Sequence, residues 1–296
     1  MTHGRAAASM VLVTLLWSSA GVVARQLHAA QPFELNFWRS LFTAVALGLM
    51  LAWLRGVGPL LRTLAGGGRV LWGSALCWSV MFTAFMVALA MTTVANVLVT
   101  MALGPLFTAL VARAVLKVKL PARTWIAIAV AGIGIAWMYG ADIGAAGGRH
   151  ALGVAIALLV PIAAACNWTL IRLQAQGGTD MLPALLIGAL ISAATTLPFA
   201  LPFAADAHDI GWLAFLGVTQ LAIPCLLVVR IARVLPPPEL ALLALLEVIF
   251  GVAWAWLGGG ETPSAAVLGG GALVLGALAL NEALALGGTR SRTGAR

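Results

Sequence analysis

Charge is what this chain has least of. Only 9% of its 296 residues are charged, with nine acids against seventeen Lys and Arg. A soluble domain keeps about a quarter of its residues charged to hold its surface in water, so a soluble globular fold is excluded. Histidine is scarce too. His3, His28, His150 and His208 are scattered among joins and termini. That leaves no catalytic set, no enzyme and no metal site among the readings. The three cysteines, Cys77, Cys166 and Cys225, each stand within an apolar run without metal-like spacing, and read as small core residues. No glycine-rich phosphate loop of the Walker type is present, so the chain does not itself spend ATP, and no cofactor is implied.

What fills the space is apolar. Hydrophobic residues make up 62% of the chain, and mean hydropathy is +1.05. The apolar stretches are near-continuous rather than alternating, which points to membrane helices and not to a β-barrel. Ten runs are predicted, at roughly 6–24, 37–54, 70–90, 94–116, 125–140, 152–173, 183–202, 212–229, 240–257 and 265–286. About 20 apolar residues cross a hydrocarbon core of about 30 Å. The first run has the charge pattern of a secretory signal, but it carries Trp17 late, where a cleaved signal has small residues; it is read as the first membrane helix.

The net charge of +8 suggests nucleic acid, yet the basic residues sit in short joins between apolar runs. That distribution controls topology instead. With the N-terminus inside, only Arg25, Arg39 and Arg149 of the seventeen basic residues fall on the outer side, beside Glu34, Asp142, Asp206, Asp209 and Glu261. Both termini are therefore expected in the cytoplasm of a bacterial inner-membrane protein, which requires an even number of spans.

An internal repeat supports that count. The order Leu103-Gly-Pro-Leu-Phe-Thr-Ala-Leu, then a join, then Ala131-Gly-Ile-Gly recurs about 143 residues later. The second copy reads Leu246-Glu-Val-Ile-Phe-Gly-Val, Gly260-Glu-Thr-Pro and Gly269-Gly-Gly-Ala-Leu-Val-Leu-Gly276. Five spans per half is odd, so the second copy enters the membrane upside down, as in many secondary transporters. The expected fold is all-α integral membrane, ten transmembrane helices as two inverted five-helix repeats. Residues 1–146 form the first repeat, 147–287 the second, and 288–296 a disordered cytoplasmic tail.

Pro105 with Leu106-Phe-Thr-Ala-Leu110, Leu246–Phe250, Gly260-Glu261 before the glycine-rich last run, Phe37-Trp-Arg39 and Trp17-Ser18 follow one another in a distinctive order. Together they resemble the drug/metabolite transporter superfamily, EamA type, and the aromatic-rich helices are similar to its amino-acid exporters, particularly those for aromatic amino acids. Three positions depart from the pattern. Gly104 stands where a Glu is expected, Val248 where a Pro is usual, and Val118-Lys119 where a Gly-Glu would fall.

Polar side chains inside a membrane are costly and mark function or helix contacts. Asn96 and Thr100 are one turn apart in the fourth run, Asn167 and Trp168 follow Pro161 in the sixth, and Gln220 precedes Pro224 by one turn in the eighth. Trp78, Phe82 and Phe85 share a helix face in the third run. The expected substrate-binding set is Trp17, Trp78, Phe82, Asn96, Met101, Asn167, Trp168 and Gln220. Two readings fit these residues, a central cavity with aromatic walls and amide handles, or interhelical bonds with outward-facing rings. For Trp53, Trp72, Trp125, Trp137 and Trp212, near helix ends, interfacial anchoring is the reading.

Glu247 lies about 10 Å into the ninth run from its start. It is either a proton-coupling site or a structural acid. Arg39 either attracts a substrate carboxylate or pairs with Glu34 or with backbone carbonyls. The function these observations imply is a secondary transporter that exports amino acids of aromatic or neutral kind by alternating access. Exporters of other metabolites or drugs, and a non-transporting membrane protein, are the alternatives. The expected partners are a small-molecule substrate and the lipid bilayer, not nucleic acid; monomer and dimer are left open.

Overall fold

The structure, a computed structural model, describes residues 2–28, 31–117, 121–142, 147–174, 181–231, 234–235 and 243–293. Every regular element among them is helical. The first half contains α1 (His3–Ala24), α2 (Pro32–Arg55), the short α3 (Val57–Gly66), α4 (Arg69–Met91), α5 (Val94–Met101), α6 (Gly104–Leu116) and α7 (Ala122–Asp142). The second contains α8 (Gly147–Gln174), α9 (Leu182–Ala200), α10 (Ala207–Phe215), a π-helical segment (Leu216–Ala222), α11 (Ile223–Ile231), α12 (Leu246–Gly258) and α13 (Ala265–Thr293). Seven stretches among the described residues are long and apolar enough to cross a membrane, and Ala122–Trp137, Leu246–Gly258 and Ala265–Asn281 are shorter apolar helices. The chain is a multi-span helical membrane protein.

Two spans are not the single helices expected. The fourth is divided at Ala102 and Leu103, where α5 stops and α6 begins with Pro105 in its first turn. Proline is tolerated there because the first N–H groups of a helix have no partner to lose. In the eighth span Pro224 has no N–H, and its ring crowds the carbonyl of Gln220 four residues back. The backbone answers by widening. Ile223 N–H reaches the carbonyl of Val218, five residues back, closing the π segment.

The break in the fourth span has a counterpart. Leu103 caps α6 and Leu245 caps α12, equivalent within one residue on the repeat offset. Most of the apolar run preceding α12, residues 236–242 with the Pro-Pro-Pro corner, lies outside the described residues. Two further departures are α3, an amphipathic helix in what the sequence offers only as a join, and α13. The last helix continues to Thr293, into the stretch expected to be a disordered tail.

Helix packing maps onto itself when the halves are exchanged. α2 packs on α9 and α7 on α13, each against its own counterpart, and α5 packs on α12 across the two breaks. The contact of α4 with α8 is matched by that of α1 with α11 and the π segment, α4 with α9 by α2 with the π segment, and α6 with α8 by α1 with α12. The main core therefore draws from both halves, with Phe85, Leu89, Val94, Leu98, Leu106, Leu216, Val248 and Val274 in one buried cluster.

Small residues let these helices close up. A side chain at Gly188 of α9 would lie 2.6 Å from Cβ of Trp78 and 2.8 Å from the carbonyl oxygen of Ala75, both on α4. One at Gly217 would meet the Arg39 carbonyl on α2 at 2.8 Å. Lipid is as apolar as leucine, so close van der Waals contact, not water exclusion, must hold the helices together. Gly188→Ala is expected to lower stability by about 1–3 kcal/mol, since backbone must move to admit the methyl group. Gly132→Ala, at a position with open space around it, is expected to leave stability unchanged or slightly raised. Thermal unfolding of the two variants in detergent makes the comparison.

Candidate functional site

The second span presents its polar residues on one stripe. Asn36, Ser40 and Thr43 follow at intervals of four and three, and all are fully buried. Asn36 Nδ2 donates to Ser192 Oγ at 2.8 Å, Ser40 Oγ donates to Ser192 Oγ at 3.1 Å, and Thr83 Oγ1 pairs with Ser192 Oγ at 2.9 Å. This hydroxyl seam joins α2, α4 and α9. Asn36, Ser40, Thr83 and Ser192 are absent from the set expected from sequence. The signal that finds them is the helical spacing of Asn36, Ser40 and Thr43 within one apolar run.

Arg39 stands beside that stripe, seven residues or about 10 Å from the start of α2. It is 1% exposed. Its guanidinium lies over the rings of Phe82 at 5.9 Å and Phe85 at 5.3 Å, a contact worth more when water is excluded. The expected pairing with Glu34 is not formed. Glu34 instead accepts from the backbone N–H groups of Ala204 and Ala205, at 2.9–3.1 Å. The Arg39 N–H groups also meet no backbone carbonyl; Nε and Nη1 are buried without a hydrogen-bond partner.

Aromatic rings continue from Arg39 toward the N-terminal end of α4. Trp78 and Phe82 lie 5.6 Å apart, and Trp168 on α8 meets Trp78 edge-on at 6.3 Å. Phe82 is buried and Trp78 half-buried. Trp168 is 44% exposed, so its ring borders Trp78 on one side and the outside of the bundle on the other. Beside it, Asn167 is buried and accepts from Ser74 Oγ at 2.5 Å, a bond between α8 and α4. Trp17 is half-buried between two core clusters, and its backbone carbonyl accepts from Gln220 Nε2 at 3.3 Å. Met101 ends α5 at the break and packs on the main core. Trp53, Trp72, Trp125 and Trp137 are exposed.

Glu247 occupies the first turn of α12 and is partly buried. Free N–H groups and the helix dipole favour a carboxylate at such a position. Cys225, on α11, lies within electrostatic reach of both Glu247 and Arg39. Gly104 holds the equivalent place at the start of α6, so only one of the two half-helix starts carries an acid.

The end of the bundle where α5 begins holds a separate polar cluster. Asn96 Nδ2 meets Thr92 Oγ1 at 3.2 Å and His150 Nε2 at 3.0 Å, and Thr100 Oγ1 donates to the Asn96 carbonyl. His150 is thus not an isolated loop residue but part of α8, bound to α5. Arg25 pairs with Glu261 at 2.5 Å and donates to the Thr92 carbonyl, while Glu261 also accepts from Val94 N–H at 3.0 Å. His28 and His208, also expected to be scattered, stack at 4.8 Å beside Asp209, and their potential ligand atoms lie within 4.8 Å of one another. Their separation in sequence hides this grouping. Trp212, read as an anchor, donates its indole N–H to His208 Nε2 at 3.0 Å.

With ten apolar helices, matched breaks and buried polar groups in place, similarity to known proteins becomes informative. Residues 4–140 match the model of the EamA-like transporter family. That stretch, a little under half of the chain, is what is similar to the family. This match agrees with the resemblance to the drug/metabolite transporter superfamily. One solved crystal structure, described only as that of a protein, is similar to the chain with a TM-score of 0.66 and 19% identity. It covers 95% of this chain and 97% of its own, so the fold is shared through both halves. No curated protein matches the sequence.

Ser74→Ala removes the one bond that Asn167 receives and leaves a buried amide wholly unpaired. A loss of about 1–3 kcal/mol is expected, with part of it regained in Ser74→Ala/Asn167→Leu, where no polar group remains to be satisfied. Unfolding midpoints in detergent test this.

Proposed function

We propose that this chain exports amino acids, aromatic or neutral, across the bacterial inner membrane by alternating access, with both termini in the cytoplasm. The observation that carries the reading is the pair of broken fourth spans. α6 and α12 start at equivalent repeat positions, and α5 packs on α12. Broken helices of this kind at the junction of two repeats are where secondary transporters bind their cargo. Trp17, Trp78, Phe82 and Trp168, with the amides of Asn96, Asn167 and Gln220, then supply ring faces and hydrogen-bonding handles along the path. Flat side chains suit ring faces, and an ammonium group is drawn to them. The π-helical widening of the eighth span ahead of Pro224, together with the breaks, lets the halves rock without unwinding whole helices.

Reconstituted in liposomes, the protein is expected to show saturable flux of labelled phenylalanine. Absence of saturable flux for every amino acid tried, with flux of another metabolite class, would replace the reading. Trp78→Ala is expected to raise the half-saturation concentration for phenylalanine by up to about tenfold.

Glu247 is assigned a structural part in this scheme, as the acid that steadies the start of α12. Glu247→Gln should cost about 0.3–1 kcal/mol of stability and leave the dependence of flux on a proton gradient unaltered. Loss of that dependence would make Glu247 the coupling group instead.

A further inference from the structure

Three buried side chains, two on α2 and one on the π segment packed against it, carry hydrogen-bonding capacity that the protein does not fill. Arg39, 1% exposed, has Nε–H and Nη1–H without an acceptor. Asn36, one turn along the same helix and fully buried, has Oδ1 without a donor. Gln220, on the π segment that lies against α2 at Gly217, has Oε1 without a donor. The amide orientations follow from their neighbours. Gln220 Nε2 faces the Trp17 carbonyl, which can only accept. Asn36 Nδ2 faces Thr196 Oγ1, whose own proton goes to the Ser192 carbonyl. The unfilled positions are therefore two donors on a cation and two acceptors on neutral amides.

These groups do not satisfy one another, and the nearby acid is engaged. Glu34 is held by the amides of Ala204 and Ala205. A buried guanidinium without a counter-charge is strongly disfavoured, and neutral water does not supply one. What matches the set is a small molecule bearing a carboxylate and an ammonium group next to each other. The rings of Phe82 and Phe85 flank the cation, and Trp78 continues from Phe82, giving an aromatic side chain a place to lie.

We infer that Arg39, Asn36 and Gln220 form the head-group subsite for a zwitterionic α-amino acid. Arg39 receives the α-carboxylate through Nε and Nη1. Asn36 Oδ1 and Gln220 Oε1 receive the α-ammonium. This assignment rests on the amino-acid reading above, and it adds which atoms read the cargo. A simple organic anion uses only the Arg39 half of the subsite, and a simple amine only the amide half.

The test uses the full-length protein in liposomes, labelled phenylalanine, and three unlabelled competitors. These are phenylalanine, phenethylamine, which lacks the carboxylate, and 3-phenylpropionate, which lacks the ammonium group. For the wild type, both analogues are expected to compete at least about tenfold more weakly than phenylalanine, the scale of one lost charge-assisted hydrogen bond. Arg39→Gln is expected to raise the half-saturation concentration for phenylalanine roughly 100-fold and to erase its advantage over phenethylamine, with Arg39→Lys restoring part of both. Asn36→Leu/Gln220→Leu should narrow the gap to 3-phenylpropionate while keeping the gap to phenethylamine. A merely structural role would lower all fluxes together without changing these ratios.

Phenethylamine competing as well as phenylalanine at the wild type overturns the assignment, and does so even if the Arg39 variants fail to fold. So does an Arg39→Gln half-saturation within about threefold of wild type, since a lost charge-assisted bond predicts more. If 3-phenylpropionate competes equally, the subsite is for plain anions and the amide half is wrong. Flux of phenylalanine with the wrong competition pattern removes this assignment alone; absence of any amino-acid flux removes the transport reading and this assignment with it.

Discussion

In a hydrocarbon slab no water stands ready to replace a lost hydrogen bond, and everything in this molecule answers to that constraint. A peptide group left unpaired there costs several kcal/mol, so spans are helices that close their own bonds. Where the chain departs from regular helix, it does so under cover. Ala102, Leu103 and Leu245 at the two breaks are buried, as are Leu216, Gln220 and Ala222 in the π segment. The same constraint makes each buried polar side chain informative. Most hydroxyls return their proton to a carbonyl one turn back, as Thr14, Ser18, Thr43, Thr100 and Thr169 do. Groups not quieted in this local way stand out, and several of them lie along α2.

How the spans meet follows from their smallest residues. Gly188 and Gly217 bring α9 against α4 and the π segment against α2, while Gly134 on α7 reaches the backbone of Gly270 on α13. All three join the first half to the second. The glycine-rich last run, which weighs against stable helix in water, is in this setting the surface that lets α13 lie on α7. Propensity measured in solution gives way to packing here.

Much of this was legible beforehand, because long apolar runs have one physical solution in a membrane. The long apolar runs and the helix-face grouping of Trp78, Phe82 and Phe85 rest on period and length. What the residues hide is subtler. α3 keeps Leu60 buried while Val57 and Leu61 face outward, and in sequence that pattern drowns among glycines and arginines. The partner of Glu34 is a backbone segment 170 residues away, which no pairing rule finds. His28 and His208 meet only because the chain ends of α1 and α10 converge. Pro224 pointed to a disturbed helix, but not to a π segment rather than a kink, since that choice depends on how neighbours fill the widened turn.

The ion pair between Arg25 and Glu261 bears on motion. Glu261 holds Arg25 and the first amide of α5, and Arg25 in turn holds the carbonyl of Thr92. Neither side chain is fully buried. Such a part-exposed pair contributes only about 1 kcal/mol or less and is weakened by salt. It therefore works as a clasp rather than a weld: it sets which turns meet when this end of the bundle is shut, and thermal motion alone suffices to undo it.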